Sequence, residues 1–175
     1  MAASRRPFDM RCYVLMGVSG CGKSSVGTAL AAACSLEFVD GDDLHPAQNI
    51  RKMHDGIALD DTDRMPWLTR VGQCFAKRTG PMVVGCSALK KTYRDCIRRE
   101  VSEPLHFLHL KASRKVLSQR VSQRQNHFMP TSLLDSQFEA LEPLQPDECG
   151  GEIDIARPYP EVVAQTEAYV RGTLV

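Results

Sequence analysis

Apolar residues in this chain alternate between two patterns. Short runs with the length of strands buried on both faces occur at 12–16 (Cys12-Tyr13-Val14-Leu15-Met16), 36–39, 81–86 and 105–110. Between them lie longer stretches in which apolar residues recur at helical spacing. The spacing predicts a helix over 24–34, with Val26, Leu30 and Ala33 on one side. Pro46 suits the first turn of a helix running to about 54. Asp60 or Asp61 can cap a longer helix over about 63–78, which carries Leu68, Val71 and Phe75 on one face. Further helices are predicted over about 88–100, after Ser113 (with Val116, Leu117 and Val121), over 131–141 and over 160–174, the last with Val163, Val170 and Leu174 in register. A fifth strand is expected at 152–156, and a polar, arginine-containing stretch at 123–130 breaks the pattern. Strand and helix alternating throughout is the α/β signature with a parallel sheet.

Composition narrows this picture. The 175 residues suit one domain, 43% hydrophobic and 25% charged as in a soluble globular protein. Residues 1–10 are read as a flexible tail and 11–175 as a single domain. Arg5 and Arg6 precede no long apolar core, so a secretory signal is not expected. A net charge of +1 argues against nucleic acid as a partner, and no apolar run approaches membrane-spanning length. The seven cysteines are odd in number and none has C-x-x-C spacing, which favours reduced thiols and a cytoplasmic protein over a disulfide framework.

Candidate chemistry begins directly after the first strand. Gly17-Val18-Ser19-Gly20-Cys21-Gly22-Lys23-Ser24 matches G-x-x-x-x-G-K-[ST], the phosphate-binding P-loop. Average composition would produce these four fixed positions in only about 0.5% of chains this long. A preceding strand and a following helix are the context the motif demands. The loop, with Ser25, should cradle a nucleoside triphosphate on main-chain N–H groups at a helix N-terminus. Lys23 would reach the β- and γ-phosphates, and the Ser24 hydroxyl is placed to ligate Mg²⁺. Cys21 is either an inert spacer or, among so many N–H groups, a thiol whose alkylation would block nucleotide binding.

Ligands of open α/β sheets bind outside the carboxyl ends of the strands. Asp40 and Asp42 follow the second strand and should face the P-loop. One could hold Mg²⁺ through water, the other accept the proton of an attacking hydroxyl. The third strand ends in Cys86-Ser87 without the usual aspartate, which moves the metal role toward Asp40 or Asp42. His45, Arg51, Lys52, Arg64, Lys90, Lys91 and Arg94 all follow strand ends or open helices, and an anionic substrate would need such cations. Arg120 and Arg124, four apart, could close over a transferring phosphoryl group. His106 and His109, three apart on one strand, point to opposite faces and form no metal pair. Trp67 is a core residue or a pocket wall.

Taken together these segments resemble the gluconokinases of the small P-loop kinase type. The likeness runs over about 13–142 and is carried by the P-loop, Asp40-Gly41-Asp42 with Leu44-His45-Pro46, Asn49-Ile50-Arg51-Lys52-Met53, Asp63-Arg64 with Pro66-Trp67-Leu68, and Cys86-Ser87-Ala88-Leu89-Lys90-Lys91-Thr92-Tyr93-Arg94-Asp95. His127-Phe128-Met129 and Gln137-Phe138-Glu139 extend it. The resemblance implies ATP-dependent phosphorylation of D-gluconate to 6-phospho-D-gluconate, feeding the pentose phosphate pathway. It also implies a nucleoside-monophosphate-kinase-like fold, a five-stranded parallel sheet flanked by helices with a closing lid at about 120–130, and often a homodimer. Carried over by position, Asp42, His45, Arg51, Arg64 and Lys90 line the sugar-acid pocket, and Arg120 and Arg124 are lid arginines. On this reading Lys23, Asp42, Arg120 and Arg124 are catalytic, and Ser24 and Asp40 hold the metal. The chain has Cys21 where the family usually has Ser, Asn126 where Gly commonly precedes the lid His, and Asp60 where Asn is common. The rivals are a shikimate-type kinase, against which the His45-Pro46 and Pro66-Trp67 blocks speak, and a nucleotide-dependent switch, which for guanine should show an absent Asn-Lys-x-Asp.

Overall fold

The computed structural model describes residues 11–123 and 131–173 of the chain. Strand β1 (Cys12–Met16) lies at the centre of a five-stranded sheet. It pairs with β3 (Met82–Gly85) on one side and β4 (Leu105–Lys111) on the other. Outside these lie β2 (Glu37–Asp40) and β5 (Cys149–Asp154), giving the order β2-β3-β1-β4-β5 with every pair parallel. A central strand covered by helices on both faces has no solvent side, and all five residues of β1 are fully buried.

Period-two alternation sends the residues of β1 into two cores. Tyr13 and Leu15 join Val26 and Leu30 of α1 (Lys23–Cys34), Leu117 of α5 (Arg114–Ser122), Leu134 of α6 (Thr131–Ala140), and Val162 and Val170 of α7 (Tyr159–Thr173). Cys12, Val14 and Met16 join Trp67, Leu68, Val71 and Phe75 of α3 (Asp61–Ala76) and Ile97 of α4 (Lys91–Arg99). The remaining helix, α2 (Ala47–His54), follows a 3-10 turn at Gly41–Leu44.

The pattern located every strand and α-helix among the described residues, and the structure differs from it in four places. The fifth strand runs over Cys149–Asp154, three residues before its expected start. Its first half, Cys149-Gly150-Gly151, lacks the apolar side chains that announce a strand. Gly150 is required there, because a Cβ would stand 2.0 Å from the Phe107 carbonyl oxygen and φ is +149°. Helix α4 starts at Lys91 rather than about 88, since Ala88 takes a left-handed φ of 44°. In α7 the buried face is Val162, Thr166 and Val170, with Val163 only half-buried; Leu174 lies outside the described residues. In α1, Ala33 is exposed and Gly27 is buried instead, under the Phe38 ring.

Candidate active site

The phosphate loop joins β1 to α1. Gly22 stands at the N-cap of α1 with φ 92°, a conformation open to glycine, so the loop turns into the helix with its amides directed outward. Gly17 N–H donates to the Ser87 carbonyl (3.2 Å), pinning the loop's start to the end of β3. Lys23 Nζ folds back on its own loop and donates to the carbonyls of Gly17 (3.1 Å) and Val18 (3.3 Å). It also reaches Cys21 Sγ at 3.7 Å. Cys21 is 2% exposed, so its thiol is shielded by the loop that carries it.

Ser24, at the start of α1, donates its hydroxyl to Asp40 Oδ2 (2.7 Å) at the end of β2. The other carboxylate oxygen of Asp40 accepts from Asp42 N–H (3.1 Å) and caps the 3-10 turn. Two hard oxygen donors side by side fit Mg²⁺, which takes few protein ligands and keeps several waters. Among the described residues no group of three His, Cys, Asp or Glu side chains could hold a metal alone. Cys86, where an aspartate was missing, is buried with its thiol pushed up to about 12 by that burial, so it supplies no thiolate ligand.

Asp42 is exposed at its surface, but the protein around it thins its hydration. That desolvation, and then the neighbouring Asp40 charge, push its carboxyl above the ordinary aspartate value; Lys23 and His45 pull the other way. His45 is buried and stacked on Trp67, ring centroids 4.0 Å apart at 14°. Trp67 is itself fixed by donating Nε1–H to the Gly41 carbonyl (2.7 Å). Desolvation lowers the His45 pKa, Asp42 opposes this, and Arg64 reinforces it. Asn49 Nδ2 lies 3.3 Å from His45 Nδ1 and donates to the Asp63 carbonyl (2.9 Å), so the imidazole is tied through α2 to the start of α3. Asp42 thus lies within electrostatic reach of Lys23 and His45, and His45 within reach of Arg64.

Beyond His45, three groups converge on Asp61. Lys90 Nζ stands 3.1 and 3.2 Å from its carboxylate oxygens, Tyr93 donates its hydroxyl to it, and Arg64 Nη1 lies at 3.9 Å. Lys90 and Arg64 also flank the Tyr93 ring, at 5.3 and 5.8 Å from its centroid. The open choice of cap for α3 is settled in favour of Asp60, which forms a reciprocal capping box with Asp63 and leaves the Asp61 side chain for this cluster.

Not every candidate cation joins the site. Lys52 is tied to Asp63 (2.6 Å), Lys91 to Asp95 and Asp147 (both 3.1 Å), and Arg94 is fully buried in a bidentate pair with Glu148. Arg94 is structural, and Lys52 and Lys91 are held by carboxylates outside the Asp61 cluster. Arg51 is exposed on α2, and its side chain makes no hydrogen bond or ion pair with the described residues. Arg120 donates to the Ile155 carbonyl and borders a pocket of about 720 Å³ on the other side of the loop, with Gly20, Cys21, Ser25 and Tyr159. That pocket has the size and position for a nucleoside. Arg124 and positions 124–130 of the expected lid lie outside the described residues.

Pattern reading missed three contributors. Tyr93 and Asp61 sit at helix starts and look like ordinary surface residues in sequence. Gln137 of α6 closes a double contact with the P-loop, accepting from Ser19 N–H (2.6 Å) and donating to Ser19 Oγ (3.1 Å). No periodicity signals a contact across 118 residues; only its place in the Gln137-Phe138-Glu139 block marked it.

The AAA domain family matches residues 13–144. A thermosensitive gluconokinase of Escherichia coli K12 is 49% identical over 139 residues, which are 78% of this chain and 74% of that protein. A thermoresistant gluconokinase of the same strain is 44% identical over 162 residues, 90% and 92% of the two chains. The crystal structure of a gluconokinase from Sinorhizobium meliloti 1021 superposes with a TM-score of 0.84 at 46% identity, covering 97% of this chain and 93% of that one.

Proposed function

Because the chain belongs to the gluconokinase family, we infer that it transfers the γ-phosphoryl group of ATP to D-gluconate, giving 6-phospho-D-gluconate and ADP. The observation that supports the reading within this chain is the link from the P-loop helix through Ser24 and Asp40 to the turn that carries Asp42, which Trp67, stacked on His45, fixes in turn. It supports a reading in which a phosphate loop and groups suited to a sugar acid act together.

Gluconate would lie with its carboxylate toward Arg64 and Lys90 and its chain across His45, with Arg51 contributing along the chain rather than at the head. Its 6-hydroxyl would point at Asp42. The hydroxyl oxygen bonds to the γ-phosphorus as the bond to the β–γ bridging oxygen breaks, ADP leaves with that electron pair, and Asp42 takes the proton. A carboxyl with a raised pKa is a better proton acceptor than an ordinary aspartate. Lys23 would leave its loop carbonyls for the β- and γ-phosphates, and Arg120, at the nucleoside end, would offset charge with Arg124. Ser24 and Asp40 would hold Mg²⁺, which supplies charge neutralisation on the phosphates when bound.

We take residues 11–175 as one kinase domain, acting in the cytoplasm and feeding the pentose phosphate pathway, with a homodimer as the assembly. Among the described residues no helix is long and apolar enough to cross a membrane. The test is ADP release measured with and without gluconate, against shikimate and other small acids. Turnover should require gluconate; ATP hydrolysis indifferent to every added acid would sink the reading.

A further inference from the structure

Binding of an anion by cations does not by itself account for Asp61. The residue opens α3, yet Asp60 does the capping, and the Asp61 carboxylate turns to Lys90 (3.1 Å), the Tyr93 hydroxyl and Arg64 (3.9 Å). It is half-exposed, with 53% of its side chain open to solvent, so no buried charge demands it there. Lys90 and Arg64 are likewise a third exposed and do not need a partner to stay folded. Two cations and one carboxylate leave the cluster with one net positive charge.

We propose that Asp61 is a specificity-determining residue, setting the cluster's charge to match the single negative charge of a carboxylate head and to disfavour a doubly charged phosphate head. Without Asp61 the cluster carries two positive charges, the complement of a phosphate monoester. Small phosphorylated polyols share the chain length and hydroxyls of gluconate, so charge at the head is the feature left to tell them apart. The Asp61 carboxylate also holds the Lys90 ammonium and the Tyr93 hydroxyl in place, so the head group meets oriented donors. The inference rests on the placement of the gluconate carboxylate at Arg64 and Lys90.

The experiment compares the inhibition constant of D-glucitol 1-phosphate with the KM for gluconate, in the full-length enzyme and in Asp61→Asn. The ratio should fall on the order of tenfold in the variant, the scale of one unit charge at contact distance in a half-solvated site. Asp61→Glu should restore it, and uncharged glucitol should show no such change. Asp61→Ser, which keeps a good helix-start residue, reads the same ratio if the Asn variant does not fold. A ratio unchanged within twofold in both neutral variants overturns the proposal. Arg64→Gln and Lys90→Gln separate the two ideas. If they leave the gluconate KM unaltered, the placement of the substrate is wrong; if they raise it while the Asp61 ratio stays fixed, only the charge-matching role is wrong.

Discussion

Lys23 spends its three protons on the carbonyls of Gly17 and Val18 and on the thiol of Cys21, and none of these is a phosphate. The ammonium is thus held within its own loop by weak neutral partners, which charged phosphates would displace on the proposed reading. Lys23→Ala should lower kcat about 10²- to 10³-fold, the loss seen when one preorganised charge-stabilising donor is removed. Steady-state kinetics with an unchanged thermal transition would check it. Asp42 makes a pH prediction with a definite sign. A base works only when ionised, and its pKa is raised by desolvation and by Asp40. The acid limb of kcat/KM should therefore lie above the ordinary aspartate value, with activity rising as pH rises through it. Asp42→Asn should abolish both the limb and most of the turnover; a variant that keeps the limb assigns the proton to another group.

Helix α6 and the segment after it connect two halves of the site. Gln137 grips Ser19 in the P-loop, and five residues on Glu142 accepts from Lys91 N–H (2.7 Å) at the start of α4, beside Lys90. Gln137→Ala should lower kcat by about tenfold, because a misplaced loop loses transition-state geometry before it loses gluconate affinity. An unaltered kcat with a raised gluconate KM would put the contact in substrate binding instead. The same segment is anchored by Arg94, whose guanidinium meets Glu148 and the carbonyls of Ala88, Leu89, Glu142 and Pro143. Both side chains of the Arg94–Glu148 pair are fully buried. Glu148→Ala leaves a buried cation uncompensated, and should cost about 3–5 kcal/mol in denaturant unfolding.

At the scale of the molecule, the parallel sheet gathers the chemistry. Every strand runs the same way, so the loops after β1, β2 and β3 open on one edge, and the P-loop at the central strand faces the acids after β2. A ligand that binds only this assembled edge stabilises the whole fold by mass action. ATP with Mg²⁺ at a hundred times its dissociation constant should add about 2.7 kcal/mol, and raise Tm by roughly 5–10 °C in a domain of this size. Chelating the divalent ion should remove most of that shift if Ser24 and Asp40 hold it; a shift insensitive to chelator would place the ion elsewhere.

What the sequence by itself determined is what local physics controls. A run of apolar residues must be buried, so the central strands were legible, and so were the faces of α3. The glycine spacing of the P-loop dictates a backbone, and that backbone dictates an anion. The cap of α3, a contact over three residues, was legible to within the pair Asp60 and Asp61, and the structure chose Asp60. The tertiary structure alone decided which partner each charge meets. Arg94, Lys91 and Lys52 have the same chemistry in sequence as Lys90 and Arg64; carboxylates up to 56 positions away hold the first three, whereas the last two meet at Asp61. Gln137 and Asp61 belong to the same class. Periodicity records which side of an element is wet, whereas the pairing of two polar groups depends on where the fold carries each of them.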